Sequence, residues 1–386
     1  MRRLKILTAG ESHGEAILGI IDGVPSGLDL RIENFTHDAS RRRAGLGRSE
    51  RMKKEDDNPQ ILSGVRLGKT TGAPICIRIA NKAHGEWQSV MQVAGTKSKT
   101  KPIRIPRPGH ADFAGAYKYS LDDIRDVIER ASARETAIRC ALGSIARKFL
   151  FEFGLAFMSR PLKIGNVEFS YDSAYPSSEK LNKDWKKLVN EANQKYDECK
   201  SALSKLRNNL IKKGDTCGGS FQVIAHKTPV GLGSYSQAEH RLDAELASAI
   251  LSIPSVKGFA IGAGIESTNM RGLKYADDFI IKNRKIRRKS NNAGGIEGGI
   301  TNGEPIVLTG IVKPIPTTKS PHKSFDLKTG KPGNSFYENS DLWVVEAVGV
   351  IAESMTALVL MDSFLAKFGG DSMREIHQHF ESSKSH

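Results

Sequence analysis

The sequence predicts one α+β domain of two similar halves, spanning residues 1–386. Three observations predict it. Short strand-like stretches and long helical ones alternate in both halves of the chain. Two helical stretches lie together in the middle. No change in composition, exact short repeat or low-complexity tract marks a boundary between modules.

Leu4–Thr8 and Ile61–Val65 read as short buried strands, and Ile75–Ile79 alternates apolar and polar residues. Ser40–Glu55, basic and containing Gly45 and Gly47, reads as a loop, as do the basic residues 92–106. Ser120 is placed to cap a helix, with Asp122 and Asp123 in its first turn. Ile124, Ile128, Ala131, Ile138, Leu142, Ile145 and Phe149 continue it at helical spacing, and Gly154 ends it. Residues 177–213 form a second long helix with an apolar stripe and charged flanks. Ser220–Ala225 and Pro305–Val312 read as strands. A last helix runs from Val344 to Phe368 and stops at Gly369–Gly370.

Cys76, Cys140, Cys199 and Cys217 are too scattered for a CxxC pair or a zinc site, so no metal is expected and a reducing compartment is. No apolar run approaches the ~20 residues of a membrane helix, and the apolar part of the N-terminus is too short for a signal peptide. The expectation is a cytoplasmic protein. The net charge of +15, from 58 Lys+Arg against 43 Asp+Glu, favours anionic partners: nucleic acid, a membrane surface or a phosphorylated metabolite.

Five segments carry groups suited to such chemistry. Gly10-Glu11-Ser12-His13-Gly14 puts a histidine and a serine in a turn after a strand, where His13 can give up a proton; a structural turn is the other reading. Arg41, Arg42, Arg43, Arg48 and Arg51 surround two glycines and suit phosphate or carboxylate; a solvated basic loop is the alternative. In Arg104-Ile-Pro-Arg107-Pro-Gly-His110-Ala-Asp112 the prolines hold Arg107 and His110 rather than leave them waving in solvent. Arg130 and Arg134 stand four apart and so share one helix face, where an anion bound between them would relieve their repulsion; neutralisation by Glu129 and Glu135 is the other reading. Asn291–Gly303 contains two glycine pairs, and Lys313-Pro-Ile-Pro-Thr317 forms a rigid loop with one cation. Neither is a dinucleotide or Walker loop.

Taken in order, TAGESHG, RRRAGLGRSERMK, ILSGVRLGKTTGAPI, RPGHAD, ERASARETAIR, GGIEGGITNGEPI and KPIPTT resemble the chorismate synthase family, over residues 8 to 318 and again in the last helix. The resemblance implies a β-α-β sandwich assembled as a homotetramer. It implies conversion of 5-enolpyruvylshikimate 3-phosphate to chorismate and phosphate, a step of the shikimate pathway that needs reduced FMN. An external flavin reductant, with NADPH as its indirect source, is implied as well; nucleic acid and membrane are not. By the same resemblance His13 protonates the departing phosphate, His110 donates to the flavin, and Asp341 with Ser12 helps the flavin accept the substrate proton. Arg42, Arg48, Arg51, Arg107 and Arg134 become substrate grips. Arg130, Ala131, Ser132, Pro254, Ser255, Gly298, Lys313, Pro314, Ile315, Pro316, Thr317 and Asn339 become flavin contacts.

The chain departs from the family at three places. Asn339 stands where an arginine is usual, Glu346 where proline is common, and Pro254-Ser255 where Asn-Ala is frequent. A lost charged hydrogen bond is worth ~1.5–3 kcal/mol, so activity with poorer affinity is expected. A catalytically impaired flavin-binding relative and a basic nucleic-acid-binding protein are the competing readings.

Overall fold

Two antiparallel sheets enclose a layer of helices in the computed structural model, which describes residues 3–49, 52, 55–95, 100–181, 185–282, 285–338 and 340–385. The first sheet joins β1 (Lys5–Ala9), β2 (Ala16–Asp22), β3 (Pro59–Ile61) and β4 (Ile75–Ala80) in the order β1-β2-β4-β3. The second joins β5 (Ala156–Ile164), β6 (Val167–Glu168), β7 (Gly219–His226), β8 (Val256–Ile261) and β9 (Ile306–Val312) in the order β8-β9-β7-β5-β6. The helices that matter to the site are α1 (Glu33–Arg43), α2 (His84–Trp87), α3 (Asp112–Tyr119), α4 (Arg125–Arg130), α5 (Thr136–Glu152), α6 (Trp185–Lys213) and α7 (Val345–Phe368).

Period-two patterning turns Ile17 and Ile21 of β2 and Ile75, Ile77 and Ile79 of β4 onto α5, where they meet Ile138 and Leu142 in one buried core. α7 lies on β5 and β7 and also packs on α5. The crossing is close because Gly143 has no side chain: a Cβ there would come within 2.2 Å of the Ser354 Cβ. Ile224 and Met158 bury on the other face of the second sheet, against Leu188 and Ala192 of α6.

Five expectations need correction. Ser120 does not begin a helix: at φ 54° it is the left-handed end of α3. The long helix expected after it is broken at Ser132, whose extended backbone and hydroxyl cap the next turn through the Arg134 N–H. That side-chain bond competes with helix continuation. The Ser40–Glu55 loop begins inside α1, because its buried face, Phe35, Asp38 and Arg42, is largely polar and gives no apolar stripe. Ile61–Val65 is not one strand; β3 ends at Ile61, and Gly64 turns the chain at φ 78°. Finally α7, with mean hydropathy 1.6 over its most apolar window, is long and apolar enough to cross a membrane, but that window lies wholly inside the fold.

A buried ionic cluster fixes α1 against α5 and α7. Glu353 of α7 accepts from Arg41 Nη1 at 2.8 Å, and Arg147 of α5 lies 2.6 Å from Asp38 and 2.9 Å from Glu353. Burial would raise the Asp38 carboxyl, but the His37 hydrogen bond and the charges of Arg147 and Arg41 outweigh it and hold the group down at about 2. A depressed folded value gives stability that is present above the ordinary carboxylate range and lost as pH falls through the folded value. We expect about 2 kcal/mol to disappear between roughly pH 4 and pH 2. Urea midpoints across that window should move less in Asp38→Asn than in the parent.

Candidate active site

One cavity of about 390 Å³ opens between the first sheet's loops, the α4–α5 break and the start of α7. His13 enters it from the β1–β2 turn. Its Nδ1 is 2.7 Å from Glu129 Oε1, and its backbone N–H donates to Glu129 Oε2, also at 2.7 Å. An ionised carboxylate only accepts, so Nδ1 carries a hydrogen and Nε2 is left for the cavity. His110 repeats the arrangement: its Nδ1 bonds Asp112 Oδ1, and Asp112 is fully buried. Burial would raise the Asp112 carboxyl, yet the hydrogen bonds from His110 and Arg107 prevail and keep it well below the carboxylate range. Each histidine is therefore backed by a buried carboxylate that fixes its tautomer.

The arginines are already paired. Asp57 bridges Arg42 and Arg134: it accepts from Arg42 Nη2 at 2.6 Å and from Arg134 Nη1. Arg134 also reaches Asn81 at 2.8 Å and Glu55 at 3.2 Å. Burial raises the Asp57 carboxyl, but the two arginines more than offset that and lower it. Arg107 donates from Nε to Asp112 at 2.8 Å and from Nη1 to Glu338 at 3.1 Å. Arg48 Nη1 bonds Asp341 at 2.6 Å, and Arg48 Nε is buried without a hydrogen-bond partner. The loop carrying Arg48 lies flat on Trp343, since a Cβ on Gly47 would fall 2.5 Å from the indole.

Among the described lining residues, Arg42, Arg48, Arg107, Arg134 and Lys313 stand with four acids, Glu55, Glu129, Glu338 and Asp341. The +15 surplus is therefore not concentrated here, contrary to the simplest reading of the sequence. The acids hold the arginines in place before any ligand arrives.

A family model described as chorismate synthase matches residues 4–365. The chorismate synthase of Carboxydothermus hydrogenoformans is 44% identical over 382 residues, covering 98% of this chain and 97% of that protein. That of Aquifex aeolicus is 42% identical over 396 residues, covering 100% of this chain and 98% of its own. The chain belongs to the chorismate synthase family. A crystal structure of chorismate synthase superposes with a TM-score of 0.79 at 35% identity, covering 100% of this chain and 98% of that one. The family consists of lyases of aromatic amino-acid biosynthesis, and the α+β sandwich expected for it is the architecture found.

Most of the residues picked out by resemblance to chorismate synthase meet in the cavity. Ser12, His13, His110, Asp341, Arg42, Arg48, Arg107 and Arg134 line it, together with Ala131, Ser132, Pro254, Ser255, Lys313, Ile315, Pro316 and Thr317. Ser12 is hydrogen-bonded to Ser132 at 3.1 Å, and Asp341 also accepts the Ser49 N–H at 2.6 Å. Three residues are not among the lining set. Arg130 turns to the Thr8 and Gly10 carbonyls, so it does not share a face with Arg134. Gly298 sits at the tip of the Ile296–Thr301 hairpin. Pro314 is skipped between its lining neighbours. Arg51 and Asn339 lie outside the described residues.

Sequence reading overlooked the roles of Glu129 and Asp112, although both stood in the quoted segments, and missed Asp57 and Trp87 altogether. Glu346, a departure from the chorismate synthase pattern, is half-buried outside the cavity lining, where its Oε1 accepts from Tyr196 at 2.8 Å and Trp343 at 3.2 Å. Burial raises its carboxyl above the ordinary range.

Proposed function

We propose that this chain is a chorismate synthase, which removes phosphate from 5-enolpyruvylshikimate 3-phosphate by 1,4-anti elimination to give chorismate. The observation that carries the reading is the pair of histidines, each with Nδ1 on a buried carboxylate, in one arginine-lined cavity.

In this reading His13 gives its Nε2 proton to the phosphate oxygen as the C–O bond breaks, while Glu129 holds the ring at Nδ1. Arg42, Arg48, Arg107 and Arg134 receive the phosphate and the two carboxylates of the substrate. Held by Asp57, Asp112, Glu338 and Asp341, they need little reorganisation when it binds. We assign uptake of the substrate proton to Asp341 with Ser12, both of which line the cavity.

The residues present fit a flavin. Ile128, Val344, Val348 and Ile351 offer an apolar wall, Ala131, Ser132, Pro254, Ser255, Ile315, Pro316 and Thr317 frame it, and the Lys313 amine suits a phosphate. Bound reduced FMN supplies an electron that is returned at the end, so the reaction has no net redox change. His110 holds a proton beside that site. An outside reductant, drawing indirectly on NADPH, keeps the flavin reduced. We assign the enzyme to the cytoplasm as a homotetramer; exposed Leu273, Phe279, Ile281 and Ile286 support burial of that surface in an assembly.

The test is anaerobic mixing with the substrate and reduced FMN. Chorismate absorbance and inorganic phosphate should rise one for one. No product at saturating substrate and flavin would refute the assignment.

A further inference from the structure

His13 has a second neighbour that the reaction scheme does not use. The Trp87 indole lies parallel to the imidazole, with ring centroids 3.9 Å apart and planes 16° from one another. The contact is built from one short helix. α2 also supplies His84, whose Nδ1–H donates to the His13 carbonyl at 3.0 Å. The Arg125 guanidinium of α4 lies 5.5 Å from the Trp87 ring centroid. His13 is thus fixed on three sides: Glu129 at Nδ1, His84 at its carbonyl and Trp87 on its ring face. Its side chain keeps only 11% exposure.

We propose that Trp87 is a positioning residue for His13. Glu129 fixes where Nδ1 lies, but one hydrogen bond leaves the ring free to tilt out of its plane. A flat indole at stacking distance closes that freedom and directs Nε2 into the cavity. Its π face is also a partner for the imidazolium that gives up the proton. The charged and titratable groups around the pair are Glu129, His84 and Arg125. Neither histidine nor arginine there can replace an aromatic face, so the effect belongs to Trp87. The role in turnover rests on the assignment of His13 as proton donor; the stacking contact does not.

Two readouts test it in the full-length protein. The chain has three tryptophans. An imidazole stacked on an indole quenches its emission, so His13→Ala should raise tryptophan fluorescence, and the rise should vanish when Trp87→Phe is added. In anaerobic turnover with reduced FMN, Trp87→Ala should lower kcat about tenfold, the reach of one desolvated cation–π contact, with KM held within about twofold. Trp87→Phe retains a flat ring and should restore most of the rate. Unchanged emission in His13→Ala overturns the stack. A raised KM with unchanged kcat in Trp87→Ala overturns the positioning role, leaving Trp87 as a binding wall. Emission is read without turnover, so a parent protein that made no chorismate would count against the reaction and not against the contact.

Discussion

His13→Ala and His110→Ala should each lower kcat by about 10²–10⁴-fold, the usual worth of a positioned proton donor. The folded structure should survive both changes. His13 has an 11% exposed side chain and His110 a 19% exposed one, so neither substitution opens a sealed core. The carboxylates behind them separate proton donation from bulk. Glu129→Gln keeps the shape at Nδ1 but withdraws the negative charge beside the ring. Its rate should fall between the parent and His13→Ala. Anaerobic steady-state kinetics with reduced FMN would measure all three. Parent rates in both alanine variants would refute the assigned roles.

Asp57→Asn should be the most damaging change to the framework of the site. Asp57 is 2% exposed and is shared by two buried arginines, Arg42 and Arg134. Removing one partner of a buried ion pair leaves charge uncompensated and costs about 3–5 kcal/mol. The lower end is expected, because Glu55 and Asn81 still hold Arg134. Backbone strain is not the cause: Asp57 sits at φ 52°, which asparagine tolerates at least as well. The loss should show as a lower urea midpoint at unchanged slope, together with a raised KM as the two arginines lose their orientation.

What the sequence made legible follows from where its signals lie. Short-range signals held up. Gly154 and Gly369 end α5 and α7 at positive φ, and apolar periodicity placed α7 within a residue and the end of α6 at Lys213, although α6 begins only at Trp185 and not at residue 177. Signals failed where polar groups fill buried positions. α1 was hidden because Asp38 and Arg42 occupy its inner face, their charges neutralised by Arg147 of α5, Arg41 of α1 and Asp57. The α4–α5 break was hidden because Ser132 interrupts the backbone without interrupting the apolar spacing.

The site divides in the same way. His13, His110 and the arginines stand in compact motifs, so residue type and spacing pointed to them. Glu129 and Asp112 were in view, but their function depends on a direction in space that no spacing encodes. Asp57 belongs to an ordinary acidic run, Glu55–Asp57, and becomes a bridge only when the loop after α1 folds back over α5. Trp87 had no motif around it; only the tertiary fold brings it onto His13.

The central claim is an elimination in which flavin is required but not consumed, driven by proton donors this chain supplies. Counting turnovers per flavin tests it most directly. With a trace of reduced FMN held anaerobic and substrate in large excess, many chorismates should form per flavin, each with one phosphate, while the flavin ends reduced. Product that stops at one chorismate per flavin, with the flavin left oxidised, would contradict the account.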